Sequence, residues 1–244
     1  MGLMMFGGGL GLGAGLGQNL PTPPYASNLV AWYRSDRRVS VLSGHATGWG
    51  DISGHGKDMQ VSITGHNPGY TAVDAAYNNL PSIQFTAAST QSFDYNAAYG
   101  LAQPFTIIWI GHVTSTNFLS LVDGRGAALR TNSGGNKAEM TAGTVITSSI
   151  AITSPSFVAG VFDHAGGTSA FYVNSSTAVA SSDPGSGTIG AGVNATYFVG
   201  GPNVLTNYLS GTGVEAFIYG EAISQPNIAT IVAYAAARYA QSWS

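Results

Sequence analysis

Acidic residues able to do chemistry are scarce in this chain, and their spacing limits what that chemistry could be. There are only three glutamates, Glu139, Glu215 and Glu221, far apart in sequence. Hydrolysis of a glycosidic bond usually takes two carboxylates about 5–9.5 Å apart. No glutamate stands two residues from another acid, the spacing that would put both on one face of a strand. Glu215 alternates with apolar neighbours in Val214-Glu-Ala-Phe-Ile-Tyr219, and reads as a structural carboxylate hydrogen-bonded between sheet and helix. The densest acidic stretch is Asp51-Ile-Ser-Gly-His-Gly-Lys-Asp58, with Asp36 upstream. Asp36, Asp51 and Asp58 could give oxygen ligands to calcium, helped by backbone carbonyls. The stretch lacks the dense carboxylate spacing of an EF-hand, however. Capping of turn amides, as Asp and Ser commonly do, is the preferred reading. His45, His55 and His66 fall in the same region without a short ligand spacing, and are expected to be loop histidines.

Other reactive groups are missing by type. The chain has no cysteine, which removes disulfides, thiolate catalysis and cysteine metal sites. It has no nucleophile elbow, no His-Glu-x-x-His zinc motif and no phosphate-binding loop. A non-catalytic role is therefore expected, with no cofactor unless calcium. Binding chemistry is better represented. Tyrosines and amides in loops could hold a glycan: Tyr70, Tyr77, Tyr95, Tyr99, Tyr197 and Tyr208, with Asn78, Asn79, Asn203 and Asn207. Most of the twelve tyrosines should nonetheless pack in the core or at its rim, where an apolar ring and a polar tip are both accommodated. Trp32, Trp49 and Trp109 are expected in the core.

The elements that must position these residues read as strands. Leu29–Ser35, Ser82–Phe85, Phe105–Val113, Phe118–Val122, Phe157–Asp163, Ala170–Asn174, Thr196–Gly200 and Gly213–Tyr219 are β-branched or aromatic runs. Turn dipeptides separate them, such as Ser43-Gly44, Asn67-Pro68, Gly166-Gly167 and Asp183-Pro184. Phe105–Ile110 is apolar on both faces, as a central strand should be. Ala170–Asn174 alternates and predicts a half-exposed strand. One helix is expected, at the C-terminus. Ser224 suits its N-cap, Pro226 its first turn, and Ile228, Ile231, Val232, Ala235 and Tyr239 fall on one stripe.

Composition sets the class. Only 8% of residues are charged and 44% are hydrophobic, and the latter are interleaved with Ser, Thr, Asn and Gly. No run approaches the ~20 apolar residues that span a bilayer, so membrane insertion is not expected. A net charge of −3 gives no basic footprint for nucleic acid. Residues 1–24 differ from the rest. Gly7–Gly17 holds seven glycines in eleven positions, followed by Pro21, Pro23 and Pro24. Read as an extended strand, the segment puts Leu10, Leu12 and Leu16 on one face and Gly9, Gly11 and Gly13 on the other. That suits an anchoring arm docked on a partner, ahead of one β domain over 25–244. The first basic residue is Arg34, so the start does not read as a secretory signal. Exit from a cell would then need another route, such as lysis releasing an assembled particle.

Several stretches resemble concanavalin A-like, laminin-G-like jelly-roll domains of bacterial and tailed-phage virion proteins. They are Leu29-Val-Ala-Trp-Tyr-Arg-Ser-Asp36, Trp49-Gly-Asp-Ile-Ser-Gly-His-Gly-Lys-Asp58, Tyr77-Asn-Asn-Leu-Pro-Ser-Ile-Gln-Phe85, Pro104-Phe-Thr-Ile-Ile-Trp109 and Gly213-Val-Glu-Ala-Phe-Ile-Tyr219. Their order holds over roughly 25–241. The resemblance implies an all-β, two-sheet antiparallel jelly-roll sandwich with one C-terminal helix. It also implies a structural or adhesive virion component (head decoration, fibre or tail-associated protein), anchored to other virion proteins by residues 1–24. Display on the virion surface, binding of a host glycan and homo-oligomerisation would follow. The alternative is a free secreted carbohydrate-binding module. Catalytic glucanases of this fold carry Glu-x-Asp-x-Glu on one strand, and this chain does not.

Overall fold

The computed structural model describes residues 22–61, 63–95, 97, 99–115, 119–124, 126–134, 136–190, 196–198 and 208–244, the backbone alone for 196–198. The arm residues Gly9, Leu10, Gly11, Leu12, Gly13 and Leu16 lie outside these. Among the described residues sixteen strands join antiparallel into one continuous curled sheet. In chain order they are β1 (Leu29–Arg34), β2 (Val39–Leu42), β3 (His45–Trp49), β4 (Met59–Val61), β5 (Gly69–Asp74), β6 (Leu80–Phe85), β7 (Phe93–Tyr95) and β8 (Phe105–Val113). Then follow β9 (Ser120–Asp123), β10 (Ala128–Thr131), β11 (Lys137–Thr141), β12 (Val145–Ala151), β13 (Ser156–Phe162), β14 (Ala170–Val173), β15 (Thr196–Phe198) and β16 (Gly211–Tyr219). The spatial order is β12-β11-β10-β9-β15-β7-β4-β3-β5-β6-β16-β8-β13-β14, with β1 added on β16 and β2 on β3.

The sheet folds over so that its two ends face each other. Inward residues of β8, β13 and β14 (Trp109, Val158, Phe162, Phe171) share one core with Leu129 of β10, Met140 of β11 and Ile146 of β12. Gly160 marks how tightly the layers approach. A Cβ there would lie 2.9 Å from Leu129 Cδ2 and 2.9 Å from Phe162 Cε2.

The outward face of β1, β16, β8, β13 and β14 would be an exposed apolar wall without the C-terminal helix, α1 (Gln225–Tyr239). Leu29, Trp32, Ile108, Ile110, Phe157, Val161 and Phe217 form a second core with Ile228, Ile231, Val232, Ala235 and Tyr239 of α1. The buried stripe is the one the sequence spacing predicts, and Pro226 sits in the first turn. Ser224 caps through its backbone, whose carbonyl accepts from Asn227 N and Ile228 N at 3.0 Å; its side chain makes no cap bond. With cores on both sides, β8 is apolar on both faces, as expected. Strand β14 corrects its expectation. All four residues are buried, because Ala170 and Tyr172 join the helix-side core while Phe171 and Val173 face the inner one. Eight strands escape the sequence reading altogether, among them β2–β5 and the β11–β12 hairpin.

Candidate functional site

The loop 50–58 between β3 and β4 is built around one carboxylate. Asp51 is fully buried. Its Oδ1 accepts from Trp32 N at 3.0 Å and Ser53 N at 2.8 Å. Its Oδ2 accepts from Ser53 Oγ at 2.8 Å and Lys57 N at 3.1 Å. Four donors on one buried carboxylate are strong, charge-assisted bonds, and they fix the loop to β1. The loop is tied again by Ile52 N donating to Trp32 O at 2.8 Å and Gly50 N to Arg38 O at 2.9 Å. A Cβ at Gly50 would fall 2.7 Å from Arg38 Cβ, so glycine is what lets the two segments touch.

Two clefts flank this loop. The first, about 270 Å³, is lined by Arg38, Val39, Ser40, Gly48, Trp49, Gly50, Asp58, Met59 and Gln60. Arg38 Nη2 pairs with Asp58 Oδ2 at 2.8 Å, and both side chains remain about half exposed. Arg38 Nη1 also donates to the Asp51 carbonyl, while Asp58 Oδ1 accepts from Asp51 N at 2.8 Å. The result is a pre-set array of donors and acceptors over a floor with two glycines. The second cleft, about 440 Å³, is lined by Ala26, Asn28, Leu29, Val30, His55, Lys57 and Gly220. Lys57 Nζ lies 5.0 Å from the Tyr95 ring centroid and 5.1 Å from that of Tyr99. A third cleft, about 380 Å³, is lined by His45, Gly65, His66, Asn67, Ser89 and Gln91.

The three aspartates expected as calcium ligands are divided. Asp51 and Asp58 share the loop, but Asp51 caps amides and Asp58 binds an amide and a guanidinium. Asp36 instead bonds Arg34 and Arg238, each at 2.8 Å, with Arg37 at 3.9 Å. Partial burial pushes the Asp36 carboxyl up, but the Arg34 and Arg238 guanidiniums outweigh it and hold it below its ordinary range. Among the described residues no group of three or more His, Asp or Glu side chains gathers as a metal site. Turn capping, the competing expectation, is what Asp51 does.

The candidate ligand residues also separate. Tyr77 is a correction: it is fully buried, its hydroxyl 2.8 Å from His112 Nδ1 and its ring edge-on to Tyr239 at 5.9 Å. Its hydroxyl pKa is raised well above the ordinary value by burial. Tyr208 is a correction too, being buried; neither ring can face a ligand. Asn78 is exposed but makes the left-handed turn after a 3-10 turn, with φ 57°. Its Nδ2 donates to Arg238 O at 3.1 Å. Tyr70 is half-buried on β5, its hydroxyl donating to Ser35 O at 3.3 Å, and burial raises its pKa. Tyr95, partly buried, and Tyr99, buried, stand behind Lys57 of the second cleft without lining it. Asn203, Asn207 and the Tyr197 side chain lie outside the described residues. Sequence reading missed Arg38, Ser40, Gln60 and Lys57 as site residues. The one available signal was scarcity, since the chain has only eight lysines and arginines and two of them meet at this loop.

The glutamates do not assemble a hydrolytic pair. Glu139 bonds Arg130 Nε at 3.0 Å and Thr147 Oγ1 at 2.9 Å. Glu221 accepts from Asn28 Nδ2 at 3.2 Å. Glu215 is fully buried between β16 and α1, accepting from Trp32 Nε1 at 2.6 Å, Tyr234 at 3.0 Å and Tyr239 at 2.8 Å. It is the sheet-to-helix carboxylate that the sequence predicts.

Comparison with solved structures places the architecture. The chain superposes on domain 4 of AbnA, a GH43 extracellular arabinanase from Geobacillus stearothermophilus, solved with arabinotriose. The TM-score is 0.60 at 12% identity, covering 84% of this chain and 98% of that domain. The likeness is one of fold. A Trypanosoma rangeli sialidase in complex with sialic acid gives a TM-score of 0.58 at 13% identity, over 91% of this chain. The chain spans only about a third of that sialidase's length, 34%. A Bacteroides ovatus protein described as a candidate carbohydrate-binding protein matches with a TM-score of 0.52 at 16% identity, over 61% of this chain and 46% of its own. No protein-family model matches the sequence, and no curated protein matches it. No helix among the described residues is long and apolar enough to cross a membrane.

Proposed function

We propose that this chain is a non-catalytic glycan-binding module built on a concanavalin A-like jelly roll. The observation that carries the reading is the domain-to-domain correspondence with the arabinanase module that was solved holding a trisaccharide. The cleft at Arg38, Ser40, Asp58 and Gln60 supplies what a neutral sugar needs. Its donors and acceptors are already oriented by the Asp51 loop, so little side-chain freedom is lost on binding. At about 270 Å³ it lies just under the usual range for small-ligand sites, which suits one sugar unit of a longer chain crossing the surface. The dispersed glutamates support binding without hydrolysis.

Titration of the whole chain with arabinotriose and with a panel of neutral oligosaccharides tests this. Binding that weakens about tenfold in Arg38→Ala and Asp58→Ala supports it, the loss expected for one hydrogen bond to a charged group. No binding to any member of the panel overturns it. Virion-borne display of the same module is the second reading, favoured by the alternating leucines and glycines of residues 9–16. Deletion of residues 1–24 should then leave sugar binding intact and abolish incorporation into particles.

A further inference from the structure

The second cleft differs from the first in one respect that sets its ligand chemistry. Each described arginine has at least one carboxylate within 4.0 Å. Lys57 has none, and its ammonium makes no hydrogen bond among the described residues. It is nonetheless placed. The Lys57 amide donates to Asp51 Oδ2 at 3.1 Å, its carbonyl accepts from Tyr33 Oη at 2.6 Å, and the Tyr95 and Tyr99 rings hold its Nζ at 5.0 and 5.1 Å. Contact with ring faces attracts a cation but satisfies none of its three N–H donors. The nearby acids of the loop are already engaged, Asp51 by amides and Asp58 by Arg38.

We infer that the Lys57 cleft is a subsite for a carboxylate-bearing sugar, a uronic-acid unit, with Lys57 as the anion contact. His55 and the side-chain carbonyl of Asn28, whose Nδ2 is held by Glu221 at 3.2 Å, stand on the same walls and offer hydrogen bonds to ring hydroxyls. Successive residues Lys57 and Asp58 line the charged cleft and the polar one respectively, so the same loop carries a wall of each. Hydrogen-bonding side chains beside the ammonium in the same cleft favour a polyhydroxylated anion over an isolated small one. The inference goes beyond the neutral-sugar reading and stands on different residues.

The test uses the whole chain and calorimetric titration with trigalacturonate, its fully methyl-esterified neutral form, and acetate. Trigalacturonate should bind about tenfold more tightly than the ester at low salt, the worth of one charge-assisted hydrogen bond. The preference should shrink as salt rises. Lys57→Gln should abolish the preference and Lys57→Arg should keep it, with near-ultraviolet circular dichroism confirming that both are folded. Equal affinity for acid and ester overturns the inference, as does an unchanged preference in Lys57→Gln. Acetate competing as well as trigalacturonate overturns the saccharide assignment. Loss of neutral-sugar binding in Arg38→Ala reports on the other cleft and leaves this outcome separate.

Discussion

The indole N–H of Trp32 donates to Glu215 Oε1 over 2.6 Å, in a site with no solvent exposure on either residue. This bond joins the first strand to the last across the face that α1 covers. Trp32→Phe keeps most of the ring stacked on Phe217 (5.5 Å between centroids) and removes only the donor. A hydrogen bond to a buried charge is worth about 1.5–3 kcal/mol, so the variant should lose about that much in urea unfolding. A loss near zero would mean the indole contributes packing alone.

Glu215 itself should be the most sensitive polar position. Alanine there strands the Trp32, Tyr234 and Tyr239 donors and removes the carboxylate 4.0 Å from Arg238 Nε, leaving Arg238 only Asp36 at 2.8 Å. Removing one partner of a buried charged network costs about 3–5 kcal/mol. Glutamine should cost less, because it keeps an acceptor. Urea midpoints of both variants check the order, and an alanine variant as stable as the parent would refute it.

The pH dependence follows from the two acids beside Arg238, Glu215 and Asp36, with opposite signs. Burial raises the Glu215 pKa above its ordinary 4.5, against the Trp32 bond and the Arg238 charge. The folded state therefore holds this proton more tightly than the unfolded chain does. Its contribution falls as pH rises from about 4.5 through the raised native value. Asp36 is lowered from 3.8, so its contribution is present above that pH and lost as pH falls through its native value. Melting temperatures across pH 2–8 should show Glu215→Gln flattening the upper slope, while Asp36→Asn flattens the acid limb. If either variant keeps the parent profile, the assignment for that residue is wrong.

Why some of this could be read from the sequence, and some not, is physical. The α1 stripe and β8 announce themselves because each buries a regular set of side chains against neighbours that need not be known. Glu215 is readable because a lone acid in an apolar alternation has to find donors. The β11–β12 hairpin is harder: β12 exposes alternate residues of Val145–Ala151, and its Thr and Ser blur the pattern. Tyr77 misleads because its exposure is decided by packing against Tyr239, far along the chain. The Lys57 cleft is invisible locally for the same reason. Tyr95, Tyr99, Asn28 and Gly220 reach the loop only through strand pairing and the curl of the sheet.

Close backbone approach gives a prediction that depends on neither binding proposal. A Cβ at Gly111 would lie 2.1 Å from the Thr212 carbonyl and 2.3 Å from Trp109 Cζ2. At Gly160 the nearest atoms, at 2.9 Å, are the ends of the Leu129 and Phe162 side chains. The first obstacle includes backbone locked in the β8–β16 ladder, where Gly111 and Gly213 are register partners. The second obstacle can rotate or shift. Overpacking of a dense core costs about 1–3 kcal/mol, occasionally more. Gly160→Ala should fall at the lower end of that range and Gly111→Ala at or beyond the upper end, by denaturant unfolding. Equal losses, or the reverse order, would mean that the β8–β16 ladder yields as readily as the side chains between the layers.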